Sequence, residues 1–155
     1  MNEALYNETI RELANDPLVR SMENYSQHGS SNTFKHCMHV AEVSGKISKF
    51  LRLKVNTKDL ARGAMLHDFF LYDIHNGDVK AFDHGMYHAE IALENANERY
   101  DLSDIEKNII YSHMWPLNIT HLPKYKESVI VGIADKYSAI YERAGAIKRM
   151  ILAYV

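Results

Sequence analysis

The feature that most constrains this chain is the segment Ala64–Phe70, which sets a His and an Asp side by side at the end of a predicted core helix. One helical face is shared by Leu60, Ala64, His67, Asp68 and Leu71. Burying the Asp68 carboxylate without a partner is very costly, so the fold must supply a cation. A divalent metal ion meets this need, because imidazole and carboxylate are both good ligands for first-row metals. Taken alone, the doublet also fits a solvated helix end that carries the pair by chance.

Hydrophobic periodicity predicts an all-α fold of roughly seven helices, since no segment sustains the alternation typical of strands. The predicted helices span residues 3–14, 16–23, 33–53, 57–68, 85–100, 103–115 and 126–144, with a short helical tail at 147–155. The predicted N-caps are Asp16, Thr33, Thr57 and Ser103, the last in a capping box with Glu106. A chain of 155 residues is long enough for a core, so we predict one domain over residues 1–155.

Charge and composition narrow the classes of function. A net charge of −2 gives no electrostatic reason to expect nucleic-acid binding. Cys37 is the single cysteine, which excludes an internal disulfide and predicts a reducing, cytoplasmic location. Polar and acidic residues interrupt the first ten positions, so we expect no signal peptide. No apolar stretch approaches the roughly 18 residues of a membrane span, so we expect no membrane partner.

Inward-facing histidines close the apolar stripes of four predicted helices. They are His36, His67 with Asp68, His88 and His113, while a fifth helix carries Asp135 on a weaker stripe. The stripe behind His36 continues through Val40, Val43, Ile47 and Phe50. A single histidine of this kind is more often a hydrogen-bonded core residue than a ligand. Four of them with two carboxylates on five helices favour one shared metal site over independent packing.

The ordered set His, His-Asp, His, His, Asp resembles the HD-domain superfamily of metal-dependent phosphohydrolases. The resemblance is closest to small bacterial stand-alone HD-domain proteins, and it covers about residues 28–142. It rests on the strings Gln27-His28-Gly29, Ala61 to Asp73 around the His-Asp doublet, His113-Met114-Trp115-Pro116-Leu117 and Ala134-Asp135-Lys136. It implies a bundle of helices around a metal site.

The resemblance also implies which residues hold the metal. His36, His67, Asp68 and Asp135 match the positions that bind one ion in the superfamily. In relatives with two metals, the residue matching Asp68 bridges both ions, and His88 and His113 match the two additional ligands. Many such relatives follow the doublet with Ile-Gly-Lys, where this chain has Phe69-Phe70-Leu71. The lysine that can assist at the substrate phosphate is therefore missing.

These ligands indicate phosphate-ester hydrolysis. Two carboxylates and four neutral histidines leave positions open for a bound water, whose lowered pKa provides metal-bound hydroxide at working pH. Two ions about 3.5–4 Å apart would clamp the phosphoryl oxygens, and Asp68 is placed to accept the proton of the attacking water. The expected substrate is a small phosphate ester, with a nucleotide as the leading class. The ligand types do not distinguish manganese, iron, nickel, zinc or magnesium.

Two further histidines are candidate substrate contacts. His28 lies in a predicted loop that can approach the metals, where it could contact a substrate phosphate. It is equally expected to be a solvent-exposed histidine with no role in the site. His84 lies four residues before His88 and could contact a metal ligand or the substrate. The favoured alternative is a histidine at the start of its helix with no role in the site. For the remaining candidates we predict packing at Cys37 and His39, solvent exposure at His75 and His121, a surface ion pair at Lys136, and core positions at Trp115, Tyr137 and Tyr141.

Two other classes of function remain open from the sequence. The same six-ligand pattern occurs in HD-fold di-iron oxygenases, in which the two metals activate oxygen. The third hypothesis is a signalling or binding module that keeps the fold, with or without a metal. A complete metal site without turnover of any phosphate ester would identify it. The sequence does not specify the oligomeric state.

Overall fold

A computed structural model describes the backbone of residues 1–27, 31–73 and 81–153, and the side chains of residues 1–27, 31–73 and 85–149. Within these residues the chain is all-α, which confirms the predicted fold class. The α-helices are α1 Glu3–Asn15, α2 Pro17–Ser21, α3 Thr33–Phe50, α4 Thr57–Leu66, α5 Ala81–Arg99, α6 Asp104–Ser112 and α7 Lys126–Ala153, with a 3-10 helix at Met22–Asn24. No helix in the described part of the chain is long and apolar enough to cross a membrane.

Helix α4 lies at the centre of the bundle and packs against α1, α3, α6 and α7. Its sequence suits this place because nearly every turn presents an apolar or small side chain, and its buried residues include Leu60, Ala61, Ala64, Met65 and Leu66. Gly63 is required where α4 meets α6, since a Cβ atom there would clash with Ile109. The packing of α4 thereby fixes the point at which the His67-Asp68 pair leaves the helix.

The helix ends differ from the prediction in several places. Asn32 and Asn56 are the N-caps of α3 and α4, and each accepts a backbone N–H with its side chain. Thr33 and Thr57, predicted as caps, are the first helical residues, and asparagine fills the cap at least as well. Helix α3 ends at Phe50 and not near residue 53, because Arg52 takes the left-handed conformation with φ 51°.

Helices α5 and α7 are longer than predicted. Helix α5 begins at Ala81, four residues before the predicted start at Gly85. Helix α7 runs without a break through Gly145 to Ala153, so residues 147–153 of the predicted separate tail belong to one 28-residue helix. A glycine inside a helix costs only about 1 kcal/mol relative to alanine, so the surrounding helix formers outweigh it.

One apolar face of α7 is turned to solvent, which contradicts the prediction that it forms part of the core. Tyr137 and Tyr141 are 55% and 62% exposed, and Ile133 and Ile140 are also exposed. The buried face of α7 is the neighbouring one, with Ile130, Val131, Ala134, Asp135 and Ser138. Trp115 and Phe50, also predicted inward, are exposed as well. The neighbouring helices cover the weaker stripe that carries Asp135, and Tyr137 and Tyr141 lie outside it.

The turn after the His-Asp doublet is held by the amide side chain of Asn95 on α5. Its Nδ2 atom donates to the carbonyls of Phe69 at 3.1 Å and Phe70 at 3.0 Å. Both phenylalanine side chains are buried. Leu71 then takes the left-handed conformation with φ 57°, which turns the chain away from the core. The position of Asp68 is therefore fixed from both sides, by α4 before it and by α5 after it.

Candidate metal centre

His67 and His113 occupy equivalent places at the ends of α4 and α6. Each is the C-cap residue of its helix, with φ −59°. Each has its Nδ1 atom 2.8 Å from the carbonyl oxygen three residues earlier, Ala64 for His67 and Ile110 for His113. A carbonyl only accepts, so Nδ1 carries the proton and Nε2 is left with a free lone pair. The unpaired carbonyls at a helix end therefore orient both rings.

The first cluster of candidate ligands consists of His36, His67 and Asp135. One ligand atom from each lies within 4.8 Å of the others, and all three residues are buried. His36 Nε2 is 3.1 Å from Asp135 Oδ1, and His67 Nε2 is 3.9 Å from the same oxygen. Two atoms that each lie about 2.1 Å from a common ion are at most about 4.2 Å apart, so both separations are compatible with one shared cation.

The second cluster consists of Asp68, His88 and His113, which are also buried. The Nε2 atoms of the two histidines lie 2.9 Å apart, and each is 3.4 Å from Asp68 Oδ1. Helix α5 supplies His88, and the end of α6 supplies His113. Two imidazole nitrogens and one carboxylate oxygen thus converge on a single point.

Asp68 lies between the two clusters and offers one oxygen to each. Its Oδ2 atom is 3.5 Å from His67 Nε2 and 3.8 Å from His36 Nε2, whereas Oδ1 faces His88 and His113. The buried amide of Gln27 donates from Nε2 to Asp68 Oδ2 at 2.6 Å. The carboxylate is thereby held in the orientation that a bridging ligand needs.

The electrostatics of the pocket fit a cation. His67 Nε2 and Asp68 Oδ1 are buried without a hydrogen-bond partner among the described residues. Burial lowers the pKa of His113 to about 3, so this imidazole is neutral at neutral pH. Burial raises the pKa of Asp68, but the surrounding histidines, with His67 the largest contributor, outweigh it and hold the pKa below its usual range. An ionised carboxylate beside bare imidazole nitrogens is the donor set that a divalent metal binds.

His36 differs from the other histidines because both of its ring nitrogens face carboxylates. Nε2 faces Asp135, and Nδ1 lies 3.1 Å and 3.3 Å from the two oxygens of Glu142. Burial lowers the pKa of His36, but these two hydrogen bonds outweigh it and raise the pKa to about 10. Without a metal the ring therefore carries both protons, and a metal at Nε2 would replace one of them.

Two residues of the site were missed as site residues in the sequence. Glu142 lies seven residues after Asp135 and so shares its face of α7, a spacing that could have identified it. Gln27 entered only as part of the motif string around His28, and an isolated polar residue in a loop has no periodic signal. All six predicted ligands are brought together by the fold, and their role as metal ligands stays a prediction.

The other predicted histidines have varied outcomes. His28, His75 and the side chain of His84 lie outside the described residues. His39 is about one quarter exposed, and its ring packs against Tyr141 with centroids 5.3 Å apart. His121 was predicted to face solvent but is buried, because its ring stacks on Tyr111 and its Nε2 lies 3.2 Å from Glu90 Oε1.

Lys136 does not form the predicted surface ion pair. Its Nζ atom donates to the carbonyls of His113 at 2.8 Å and Gly132 at 3.2 Å. Burial lowers its pKa, and the nearby Asp135 opposes the change. The lysine thus links the end of α6 to α7, and so connects the helices that carry the two clusters.

A basic cleft of about 490 Å³ adjoins the centre at Glu142. Its lining includes the cationic side chains Lys35, Lys148 and Arg149, together with Ser31 and Tyr141. Among the described residues of the lining, Glu142 is the one acidic side chain, and its carboxylate contacts His36. A second cavity, of about 600 Å³ between α1 and α3, contains none of the six predicted ligands. The cleft is therefore a positively charged opening that lies beside the candidate centre.

Comparison with known protein families gives one match. The family model described as HD domain matches residues 33–140 of the chain. The matched range contains all six predicted ligands, and Gln27 and Glu142 lie just outside it. No curated protein and no solved structure matches the chain.

Proposed function

This chain belongs to the HD-domain superfamily, whose members are generally metal-dependent phosphohydrolases, and we propose that it hydrolyses a small phosphate ester with two bound divalent ions. A nucleotide is the leading substrate class. The observation that carries the proposal is the arrangement of Asp68, whose two oxygens face two separate clusters of imidazole nitrogens. A cytoplasmic location remains a prediction from the sequence.

The ligand assignment follows from the two clusters. His36, His67 and Asp135 would hold one ion, His88 and His113 would hold the other, and Asp68 would reach both. When bound, such ions activate a water molecule and neutralise the charge that develops on a phosphoryl group in an in-line displacement. The Nε2 atom of His67 and the Oδ1 atom of Asp68 have no hydrogen-bond partner among the residues that the structure describes, and each would gain a partner in a bound ion.

The protein side chains have three further tasks in the proposed reaction. Asp68 is the proposed acceptor of the proton of the attacking water, because its carboxylate is ionised at neutral pH and lies between the two clusters. Gln27 and Asn95 keep that carboxylate and its turn in place. The buried ring of Phe70, whose centroid lies 6.1 Å from that of His88, excludes water beside the second cluster, which strengthens electrostatic interactions there.

The basic cleft supports an anionic substrate. Lys35 and Lys148 carry positive charge into the cleft that adjoins Glu142 and His36. We propose that these cations bind the part of the substrate that is not cleaved, such as further phosphates of a nucleotide. This arrangement would replace the missing lysine after the His-Asp doublet, where the chain has Phe69-Phe70-Leu71.

The direct test is a turnover screen with nucleotides and simple phosphate esters, using protein loaded separately with manganese, nickel, zinc, magnesium or iron. The parent protein should release phosphate or a nucleoside monophosphate, and Asp68→Ala should abolish release and lower the metal content. Replacing both Lys35 and Lys148 with Ala should raise KM for nucleotides more than it lowers kcat. Tight binding of two irons with a mixed-valence signal and no phosphate-ester turnover would instead identify an oxygenase.

A further inference from the structure

Two carboxylates on α7 contact the same imidazole ring on α3. Asp135 and Glu142 are seven residues apart, which places them two turns apart on one face of the helix. Asp135 Oδ1 lies 3.1 Å from His36 Nε2, and Glu142 Oε1 lies 3.1 Å from His36 Nδ1. Helix α7 therefore contacts both nitrogens of one candidate ligand.

The contact between Glu142 and His36 is sheltered from water. The His36 side chain is fully buried, and the Glu142 side chain is only 11% exposed. A carboxylate accepts hydrogen bonds and does not donate when ionised, so the proton of this contact resides on Nδ1 of the ring. The remaining nitrogen, Nε2, is then the one that can give its lone pair to a metal.

His36 needs an external partner because of its place in its helix. His67 and His113 are C-cap residues, so carbonyls at the ends of their own helices orient them. His36 is the fourth residue of α3, where the backbone carbonyls accept hydrogen bonds from the following turn. The carboxylate of Glu142 contacts Nδ1 of His36, as the carbonyls of Ala64 and Ile110 contact Nδ1 of the other two rings.

We propose that Glu142 is a positioning residue of the metal centre. By accepting the Nδ1–H of His36, it fixes the ring orientation and the tautomer that offer Nε2 to the ion shared with His67 and Asp135. The inference rests on the proposed function only in requiring a metal at this cluster. Glu142 lies outside the range matched to the HD domain, so the family match does not assign it a role.

The test is a zinc titration of protein labelled with nitrogen-15 at histidine, in which the ring signals of His36 report both the bound nitrogen and the affinity. In the parent, zinc should bind at Nε2 while Nδ1 keeps its proton. Glu142→Ala should weaken zinc binding at His36 by about 10- to 100-fold, the usual effect of removing a partner that orients a ligand. Glu142→Gln should lose less, because its side-chain carbonyl can still accept the Nδ1–H.

Glu42→Gln is the matched control, since it removes one negative charge from α3 at a half-exposed residue that pairs with Lys46. Its zinc affinity should equal that of the parent. Unchanged affinity in Glu142→Ala, or zinc on Nδ1 in the parent, would overturn the proposal. Equal losses in the Ala and Gln variants would do so too, because the role would then be one of charge alone. If the zinc results hold but no phosphate ester is cleaved, the proposed function fails and this inference stands.

Discussion

The Nε2 atoms of His88 and His113 lie 2.9 Å apart inside the protein. His113 has its Nδ1 proton on the carbonyl of Ile110, and its pKa is lowered to about 3 by burial. Its Nε2 is therefore a bare lone pair at neutral pH. Two bare lone pairs at this distance would repel each other, so His88 must donate to His113 or both must bind a cation. The nearby Asp68 Oδ1, which has no hydrogen-bond partner in the described part of the chain, favours the cation.

This geometry predicts that His88 and His113 hold the second of two ions. The double variant with Ala at both positions should stay folded, retain about one metal per chain and lose most of its turnover. Metal analysis after removal of excess ion, together with phosphate release, would measure this. Two ions retained by the variant, or only one bound by the metal-saturated parent, would contradict the two-metal mechanism.

The amide of Gln27 should matter to both clusters, because its 2.6 Å hydrogen bond orients the bridging Asp68. Gln27→Leu keeps the size of the side chain but removes the donor. We expect metal affinity to fall by about tenfold or more. Thr33→Val is the control. Thr33 Oγ1 is 3.4 Å from Gln27 Oε1, which is a long hydrogen bond, so its removal should lower the metal affinity less. Equal affinity in Gln27→Leu and the parent would show that Asp68 is oriented without the amide.

The thiol of Cys37 should be dispensable for catalysis. It is fully buried, and burial raises its pKa well above the usual value, so the nucleophilic thiolate is not formed at neutral pH. Its sulfur lies 3.8 Å from His67 Nδ1, whose proton already goes to Ala64. Cys37→Ser should therefore keep most of the turnover. A folded but inactive Cys37→Ser protein would require a covalent step.

The sequence was sufficient for the fold class and for bringing the six candidate ligands together. His36, His67, His88 and His113 each end an apolar stripe, so periodicity predicted that they face the core. The resemblance to the superfamily implied that they share one site with Asp68 and Asp135. The same reasoning failed for Tyr137 and Tyr141, which are exposed. On a helix with two adjacent apolar stripes, periodicity does not show which one the neighbouring helices cover.

The contacts of His121 and Lys136 could not be predicted from the sequence. His121 lies in an irregular polar segment and is predicted outside, but the ring of Tyr111 and the carboxylate of Glu90 bury it. Lys136 was expected to pair with a surface acid, and it donates instead to the carbonyl of His113. The contacts of both residues depend on where α6 ends relative to its neighbours, and no local sequence pattern predicts that position.

The stability of the protein should be sensitive to the addition of a single methyl group at Gly63. A Cβ atom at this position would clash with the side chain of Ile109 on α6, whose Cγ2 would be only 2.9 Å away. Gly63→Ala should destabilise the protein by about 1–3 kcal/mol through overpacking, despite the better helix propensity of alanine. Chemical denaturation would measure the loss, and Ile109→Val in the same chain should recover part of it. A more stable Gly63→Ala protein would show that α4 and α6 can separate at little cost.

The metal-free protein should be most stable near pH 6.5. His36 has a folded pKa of about 10, above its ordinary value of 6.5, because the hydrogen bonds to Asp135 and Glu142 outweigh burial. The stability that it contributes is complete below pH 6.5 and is lost as the pH rises toward 10. His113 has a folded pKa of about 3, below 6.5, because of burial. As the pH falls from 6.5 toward 3, the unfolded chain gains a proton that the folded protein does not accept, so stability is again lost.

Thermal midpoints measured in the presence of a chelator, from about pH 4 to pH 9, would test this maximum. His36→Asn should flatten the alkaline side of the curve, and His113→Asn should flatten the acidic side, because each removes the group that titrates there. Burial raises the pKa of Asp135, but the hydrogen bond with His36 outweighs it and lowers the pKa to about 2. The stability that Asp135 contributes is therefore complete above its ordinary pKa of 3.8, and it changes neither the acidic nor the alkaline side of the curve. A midpoint that rises steadily between pH 7 and pH 9 would mean that His36 is neutral in the metal-free protein, and that the two carboxylates of α7 do not hold its second proton.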